Sequence, residues 1–156
     1  MNEAIVRLRP IVEEDLPILF EHQRDPDANI MAAFPARPRE AFMTHWSKIL
    51  KGSGNLIRAI VFEQRLAGNI LSWDSSDERD LGYWLGRDFW GRGIATGALK
   101  QFLSIDTTRP LHAHVAEHNL ASQRVLEKCG FLRVREELVP ESGLGGAVRE
   151  FIFRLE

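Results

Sequence analysis

Residues 82–96 are GYWLGRDFWGRGIAT, an apolar run followed by a glycine-rich segment and then by small residues. The pattern predicts a strand that passes through a tight turn into a helix. Glycines let the backbone approach a ligand closely, and the first N–H groups of a helix have no partner within it. Together with the positive end of the helix dipole, these N–H groups can hold a pyrophosphate. The segment therefore predicts an anion-binding turn, with a tight turn that binds nothing as the alternative.

Two common nucleotide-binding motifs do not fit this segment. A Walker A loop needs a lysine and a hydroxyl residue, but residues 86–93 offer Arg92 and Gly93 at those places. The dinucleotide fingerprint needs a third glycine, but residues 91–96 end in Thr96, and no acidic residue ends a strand about 20 residues later. Neither a P-loop nor an NAD-binding turn is therefore expected.

Strand and helix patterns alternate on both sides of the turn. Apolar and β-branched runs predict seven strands, at residues 4–9, 56–62, 66–73, 81–85, 111–115, 131–139 and 147–155. Helical spacing predicts four helices, at 13–24, 91–103 and 119–128 and around Phe42, Trp46 and Ile49. The second, third and fourth strands form a meander, and the strand–helix order that follows favours parallel pairing. The sequence thus predicts one α/β domain over residues 1–156, with a mixed twisted sheet of about seven strands flanked by about four helices.

Composition and charge narrow the class of protein. The 156 residues are 44% hydrophobic and 27% charged, as in packed globular domains. Twenty Lys and Arg against 22 Asp and Glu give a net charge of −2, so no basic field favours nucleic acid. No apolar run approaches the roughly 20 residues that span a bilayer. We therefore expect neither nucleic acid nor a membrane as a partner.

The cysteine content and the N-terminal sequence indicate the compartment. The one cysteine, Cys129, cannot form an internal disulfide, and the first residues lack the apolar segment of a secretory signal. These features predict a cytoplasmic protein, expected to be a monomer or a homodimer. Cys129 itself is expected in the core rather than as a nucleophile.

Two motifs in register resemble those of the GNAT superfamily of N-acetyltransferases, and more closely its ribosomal-protein (RimJ/RimL-like) branch. The family's acetyl-CoA motif, [Gln/Arg]-x-x-Gly-x-[Gly/Ala], is matched at residues 90–95 in its last three elements, with Trp90 in the first, as in that branch. The second signature and the opening motif of the branch are matched by Asn119-x-x-Ser122, residues 124–128, Gly130-Phe131, and Leu8-Arg9-Pro10 with Asp15. The resemblance therefore spans nearly the whole chain.

The resemblance implies acetyl-CoA as the co-substrate. Its pyrophosphate would rest on the backbone N–H groups of Gly91, Arg92, Gly93, Ile94, Ala95 and Thr96. Its pantetheine arm would pair with the strand residues Gly82, Tyr83, Trp84 and Leu85, as an added strand does. Arg87 and Arg92 would attract the phosphates or lie as ordinary surface arginines. Asn119 is explained as a helix N-cap, and the resemblance adds a contact with the cofactor arm.

Acetyl transfer to an amine needs a neutral amine, a donor for the oxyanion and a proton for the departing thiolate. A backbone N–H near Tyr83 or Trp84 is the candidate oxyanion donor. Many relatives protonate the thiolate with a tyrosine seven residues after the motif asparagine, where this chain has Leu126. The resemblance nominates Ser122 instead, and a bond to local backbone is the alternative role of that serine.

The candidate bases are Asp80, at the start of the third meander strand, and Glu141, although both could be solvated acids. An α-amine has a pKa near 7.7–8.0, whereas a lysine near 10.4 needs about 3 kcal/mol more to react as the neutral amine. The lack of an obvious base therefore favours an α-amine or another amine of low pKa. The expected reaction is direct acetyl transfer, in a ternary complex, to the N-terminal α-amine of a protein or peptide or to a small-molecule amine.

Other interpretations stay open at this point. His112, His114 and His118 suggest a metal site because alternate strand residues share a face, but no carboxylate or cysteine completes a ligand set, so no metal is expected. The chain could also bind acyl-CoA without catalysis, or use its sheet to bind another protein. Residues 141–146 and 34–46 are expected to frame the acceptor channel.

Overall fold

The computed structural model describes residues 5–143 and 145–156, which form one sheet with helices on both faces. The strands in these residues are β1 Val6–Arg9, β2 Leu56–Phe62, β3 Arg65–Ser75, β4 Glu78–Leu85, β5 Leu111–Ala116, β6 Leu132–Val139 and β7 Val148–Leu155. The α-helices in the same residues are α1 Leu16–Gln23, α2 Pro26–Ala32, α3 Arg39–Lys51, α4 Ile94–Ile105 and α5 Leu120–Lys128. The expected strand start at Ala4 and the loop residue Leu144 lie outside the described residues.

The strands are ordered β1-β2-β3-β4-β5-β7-β6. Every neighbouring pair is antiparallel except β4 and β5, which are parallel and are joined through α4. The mixed α/β sheet, the meander and the parallel pair are thus confirmed. Within the described chain, β4 and β5 pair at Asp80 with His112 and at Leu81 with Ala113, and nowhere further along. Because β4 continues to Leu85, the two strands diverge after Leu81.

The turn between β3 and β4 is shorter than the sequence indicates. Polar residues predict a turn over 75–79, but Ser75 pairs with Glu78 and Asp74 pairs with Arg79 in the ladder. Only two residues then separate the strands, and Ser76 has a φ of 52°. Backbone pairing continues here because it does not depend on the side chains being apolar.

Helix α2 is not predicted by the sequence, where the segment 25–27 indicates only a break after α1. The carboxylate of Asp25 accepts a hydrogen bond from the Asp27 N–H at 3.0 Å, and Pro26 occupies the first helical position, where no N–H is needed. The same residues therefore end one helix and start the next. At seven residues, α2 is too short to show a clear period, so the described chain has five α-helices rather than about four.

Two apolar clusters lie on opposite faces of the sheet. The main cluster packs α4 and α5 against the strands through residues such as Phe102, Leu126 and Phe153. The second cluster packs α1 and α3 on the other face, with Leu19 and Phe42 fully buried. Because side chains alternate along β4, Leu81 and Tyr83 face the main cluster and Asp80 faces the other side.

Among the described helices, none combines the length and the apolar character that crossing a bilayer requires.

Candidate active site

A cleft of about 430 Å³ opens where β4 and β5 diverge. It is bordered by the end of β4, by the glycine-rich turn, by the first turns of α4 and α5, and by α2. Beyond Leu81 the edge of β4 is not paired with β5, so its backbone groups can bind an extended ligand as they would bind another strand. The cleft therefore suits a long, flexible cofactor arm.

The glycine-rich turn places free N–H groups at this cleft. Gly91 and Gly93 have φ values of 69° and 75°, in the left-handed region that favours glycine. The first hydrogen bond of α4 runs from the Gly97 N–H to the Gly93 carbonyl at 3.1 Å. The N–H groups of residues 94–96 therefore have no acceptor within the helix, and these residues line the cleft. This arrangement suits a pyrophosphate group.

Most of the residues predicted to bind the cofactor line the cleft, namely Tyr83, Trp84, Leu85, Gly91, Gly93, Ile94, Ala95, Thr96 and Asn119. Gly82 and Arg92 are not among the lining residues of the described chain. A Cβ on Gly82 would lie 3.3 Å from the ring of Trp73, and the Arg92 guanidinium lies 5.0 Å from the ring centroid of Phe62.

The cations at the cleft are not the arginines that the sequence suggests. The guanidinium of Arg87 forms ion pairs with Asp25 and Asp27 at the start of α2. Arg124 and Lys128, on successive turns of α5, line the cleft instead. The helical spacing of these two residues was visible in the sequence, but which face of α5 borders the cleft was not.

A pair of hydroxyl groups lies in the cleft. The hydroxyl of Tyr83 is 2.7 Å from Oγ of Ser122. Burial raises the pKa of Tyr83 to about 12, although the hydrogen bond with Ser122 opposes the rise. Tyr83 therefore stays protonated at neutral pH and can donate to Ser122. Leu126, at the place of the usual tyrosine, is fully buried.

The sequence suggested Ser122 as a candidate acid but not the Tyr83 hydroxyl, because contact between residues 39 apart leaves no local signal. Asn119 is an N-cap, as predicted, since its Oδ1 accepts a hydrogen bond from the Ser122 N–H at 3.2 Å. This bond fixes the helical turn that carries Ser122. A contact of Asn119 with the cofactor stays a prediction.

Side chains of β4, β5 and β7 meet on the opposite face of the sheet and form a carboxylate–histidine cluster of Glu78, Asp80, His112, His114 and Glu150. His114 Nε2 lies 3.7 Å from Glu78 and 3.9 Å from Asp80 Oδ1, and its Nδ1 lies 3.5 Å from Glu150. Asp80 is 8% exposed, and its Oδ1 has no hydrogen-bond partner in the described chain. The cluster thus contains a buried carboxylate directly beside the point where β4 and β5 separate.

The protonation equilibria of this cluster are shifted. Burial raises the pKa of Asp80, and the nearby charge of Glu78 adds to the rise while His114 opposes it. Interaction with the Glu150 carboxylate raises the pKa of His114, and a hydrogen bond from Arg135 lowers the pKa of Glu78. Asp80 is therefore a better proton acceptor than an ordinary aspartate.

The structure does not place the other candidates in this cluster. Glu141 is exposed, and its carboxylate accepts a hydrogen bond from the Gly143 N–H at 3.0 Å. His118 lies beyond the end of β5, with its Nε2 2.8 Å from the Ile30 carbonyl, so the three histidines do not form one site. His112 and His114 do share a face, but their carboxylate neighbours come from other strands. In the sequence, the spacing of Glu78 and Asp80 indicated that they share a face of a strand. Only the strand order shows that this face is next to His112 and His114.

The two segments expected to frame the acceptor channel lie against each other. A Cβ on Gly143 would come within 2.9 Å of Pro35. The loop before β7 therefore contacts the connection between α2 and α3.

Comparison with known proteins extends these observations. The family model described as acetyltransferase (GNAT) domain matches residues 6–132. Spermidine N-acetyltransferase from Vibrio cholerae, solved with CoA and spermine, has a TM-score of 0.82 at 16% identity, over 96% of this chain and 94% of that chain. RimL, the ribosomal L7/L12 α-N-protein acetyltransferase solved with coenzyme A, has a TM-score of 0.78 at 17% identity, over 96% and 93%. RimJ from Mycobacterium smegmatis, solved with CoA-disulfide, has a TM-score of 0.76 at 20% identity, over 97% and 82%. No curated protein sequence matches the chain.

Since the family model covers most of the chain, the protein belongs to the GNAT acetyltransferase family. It is an N-acetyltransferase, and its co-substrate is acetyl-CoA, as the two sequence motifs imply. The expected family and fold are confirmed. At 16–20% identity the structural relatives share the fold, and they do not fix the acceptor.

Proposed function

We propose that this protein transfers the acetyl group of acetyl-CoA directly to a primary amine in a ternary complex. The cofactor lies in the cleft, with its pyrophosphate at the start of α4 and its thioester near Tyr83 and Ser122. The amine approaches from the opposite face, where Asp80 is buried. The supporting observation is the divergence of β4 and β5 after Leu81, with a hydroxyl pair on one side of the sheet and a shielded carboxylate on the other.

Each proton in this reaction has a donor and an acceptor. The acceptor's ammonium group loses a proton to Asp80, and the neutral nitrogen attacks the thioester carbon, forming the C–N bond. A backbone N–H of β4 near Tyr83 or Trp84 stabilises the oxyanion. When the C–S bond breaks, the thiolate takes a proton from Ser122, which Tyr83 replenishes through their hydrogen bond. The attacking nitrogen also loses a second proton, which returns to Tyr83 and restores both hydroxyl groups. The products are then the amide, the free thiol and one proton on Asp80.

The two acceptor classes indicated by the sequence both fit this scheme. They are the N-terminal α-amine of a protein or peptide and a small-molecule amine. The printed names of the structural relatives include one enzyme of each kind, RimL and a spermidine acetyltransferase. They support a primary amine as the acceptor without choosing between the classes.

The test is amine-dependent release of free thiol from acetyl-CoA by the purified chain, with the acetylated product identified by mass spectrometry. The panel contains N-terminal peptides, amino acids and aliphatic amines. We expect release with at least one class. Binding of acetyl-CoA without release for any amine would instead identify a non-catalytic acyl-CoA-binding module.

Two glycine variants test the location of the cofactor. Gly93 and Gly54 both have a positive φ, of 75° and 88°, so a valine strains the backbone similarly at either position. A Cβ on Gly54 has one neighbour within 4 Å, Asp74 Oδ2 at 3.8 Å, and Gly54 does not line the cleft. We expect Gly93→Val to weaken acetyl-CoA binding roughly tenfold or more, that is by about 1.4 kcal/mol, and Gly54→Val to leave it unchanged. Equal affinities in calorimetry would remove the turn from the site.

The base is tested with Asp80→Asn. This variant should lower kcat about 10²–10⁴-fold and leave acetyl-CoA affinity unchanged, since general base catalysis contributes that much. Asp77→Asn, in the exposed turn before β4, is the matched control and should retain activity. Wild-type kcat in Asp80→Asn would assign the proton to another acceptor.

The proposal also places the enzyme in the cytoplasm, as a monomer or a homodimer. A chain with one cysteine, which cannot form an internal disulfide, is compatible with a reducing compartment. Cell fractionation and light scattering of the purified protein test these two statements.

A further inference from the structure

The distances within the carboxylate–histidine cluster are longer than hydrogen bonds. His114 faces the three carboxylates at 3.5–3.9 Å, whereas N–H···O bonds are about 2.7–3.2 Å long. Asp80 Oδ1 is buried, is directed at His114 Nε2, and has no hydrogen-bond partner in the described residues. Buried carboxylate oxygens are nearly always hydrogen-bonded. This oxygen can therefore accept a hydrogen bond from a ligand that enters the cluster.

The cation at the edge of the cluster favours an ammonium group over a divalent metal ion. One ligand-type atom from each of Glu78, Asp80 and His114 lies within 4.8 Å of the others. His114 Nε2 lies 3.7 Å from Glu78 and 3.9 Å from Asp80 Oδ1. These separations fall between the roughly 3.4 Å expected for zinc ligands at about 2.1 Å and the roughly 4.6 Å expected for acceptors at about 2.8 Å from an ammonium nitrogen, so charge and not spacing distinguishes the two. Arg135 also donates to Glu78 Oε1 at 2.7 Å, and a cation beside a ligand oxygen opposes a divalent ion.

The charge of the cluster indicates more than one cationic group. Among the described residues, the three carboxylates of Glu78, Asp80 and Glu150 and the guanidinium of Arg135 give the cluster a formal charge of −2 with neutral imidazoles. The side chains of Glu78 and Glu150 are 24% and 28% exposed, whereas Asp80 is buried. The cluster therefore has one deep carboxylate beside the gap between β4 and β5, and two at a solvent-accessible rim.

We propose that this cluster binds the acceptor, and that the acceptor is an aliphatic diamine or polyamine. The reacting ammonium group lies at Asp80, and a second ammonium group binds Glu78 and Glu150. This inference rests on the proposed acetyl transfer and narrows its substrate class. The sequence favoured an amine of low pKa because no base was obvious in it. With Asp80 as the base, an aliphatic amine of higher pKa can also react.

The first experiment compares acceptors of matched length with the purified full chain at saturating acetyl-CoA. They are 1,4-diaminobutane, butylamine, 4-aminobutanoate and an amidated tripeptide with a free N-terminus. The diamine should have a kcat/KM about 10- to 100-fold above that of butylamine, as one added charge-assisted contact provides. The compound with a carboxylate should be the poorest acceptor, because the rim carboxylates repel it.

The second experiment changes the rim charge alone. Glu150→Gln keeps an acceptor for His114 Nδ1 but removes the negative charge. It should raise the KM for the diamine about tenfold and leave the KM values for butylamine and acetyl-CoA within about twofold. The matched control is Glu136→Gln, an exposed β6 carboxylate bonded to Arg149, which should change none of these values.

Three results of these kinetic comparisons would overturn the inference. They are equal kcat/KM for the diamine and butylamine, a preference for the tripeptide, and a diamine preference that survives Glu150→Gln. If EDTA abolishes activity and zinc restores it, the cluster binds a metal ion and not the ammonium group of the acceptor. If this inference fails but other amines are acetylated, the proposed acetyl transfer still holds. If acetyl-CoA binds and no amine is acetylated, both the acetyl transfer and this inference are overturned.

Discussion

At the scale of single residues, the hydroxyls of Tyr83 and Ser122 form a hydrogen-bonded pair, to which we assign the protonation of the thiolate. A serine hydroxyl is a weak acid, and a neutral phenol beside it can replace the proton that it gives up. We expect Tyr83→Phe to lower kcat roughly tenfold, the value of one hydrogen bond, and Ser122→Ala to lower it about 10²–10⁴-fold. The double variant should be no slower than Ser122→Ala, because the two groups act together. Thiol release at saturating substrates measures these rates, and an unchanged kcat in Tyr83→Phe would contradict the pairing.

The pKa of Tyr83 is directly measurable, because it is the chain's one tyrosine. Burial raises this pKa to about 12, so phenolate absorbance in the folded protein should appear well above the value near 10 that the protein shows in urea. Ser122→Ala should raise the pKa further, since the hydrogen bond with Ser122 favours the phenolate. Titration near 10 in the folded protein would show that the ring is not buried.

Gly86 shows a second kind of constraint at the residue scale. Its φ of −64° is open to any residue, but a Cβ would lie 2.6 Å from the ring of His22. Gly86→Ala should therefore cost about 1–3 kcal/mol of stability in urea denaturation, as overpacking does. Gly52→Ala, with a φ of −72° and its nearest contact at 3.2 Å, is the control and should cost less. Adding His22→Ala should relieve part of the Gly86→Ala loss, and strict additivity would exclude the ring as the cause.

At the scale of elements, a buried ion pair ties the end of α4 to the meander. The carboxylate of Asp106, directly after α4, accepts hydrogen bonds from Ser72 on β3 and from Arg79 on β4. Burial alone would raise the pKa of Asp106, but bonds from Ser72, the Thr108 N–H and Arg79 outweigh burial and lower it. The network therefore holds α4 against two strands of the sheet.

This network predicts both a stability loss and a pH dependence. Asp106→Ala should cost about 3–5 kcal/mol, because Arg79 loses its buried carboxylate partner and keeps only the Gly54 carbonyl, the Ser72 hydroxyl and the exposed carboxylate of Asp74. Because the folded-state pKa lies below the unfolded value near 3.9, the contribution is present above that pH and is lost as the pH falls through the folded pKa. Carboxylates titrate between about pH 6 and pH 3. Over that range, the free energy of unfolding measured in urea should therefore fall less steeply in Asp106→Asn than in the wild type. Asp77→Asn, in the exposed turn, should follow the wild-type curve, and identical slopes in all three proteins would contradict the role of Asp106.

At the scale of the whole molecule, β4 and β5 join the two halves of the sheet with two paired positions in the described chain. A cofactor in the gap would bind both halves at once. Acetyl-CoA at 100 times its Kd should add about 2.7 kcal/mol, which raises Tm roughly 5–10 °C for a chain of this size. Differential scanning calorimetry measures the shift, and hydrogen exchange should slow at residues 82–85 and in the first turns of α4 and α5. Gly54→Val should keep the shift and Gly93→Val should lose it; a full shift in Gly93→Val would contradict binding at the turn.

Local features of the fold could be predicted from the sequence. The alternation of apolar residues predicted the strands, and the spacing of helical faces predicted α1, α3, α4 and α5 within a few residues. The glycines at 91 and 93 indicated the turn because their conformation is set by local sterics, and Asn119 indicated a cap because its partner is three residues away. These signals, with the two motifs, determined the family and the cofactor.

The tertiary structure alone decided which side chains meet. Tyr83 and Ser122 are 39 residues apart, Arg135 reaches Glu78 across 57 residues, and His114 meets carboxylates of β4 and β7. Such contacts depend on strand order and register. Packing of the sheet against two separate apolar clusters determines both, and the local spacing of residues in the sequence does not reveal them. The sequence by itself therefore predicted the anion-binding turn and determined the class of enzyme. Only the register of β4, β5 and β7 brought the hydroxyl pair and the carboxylate–histidine cluster to opposite faces of one gap.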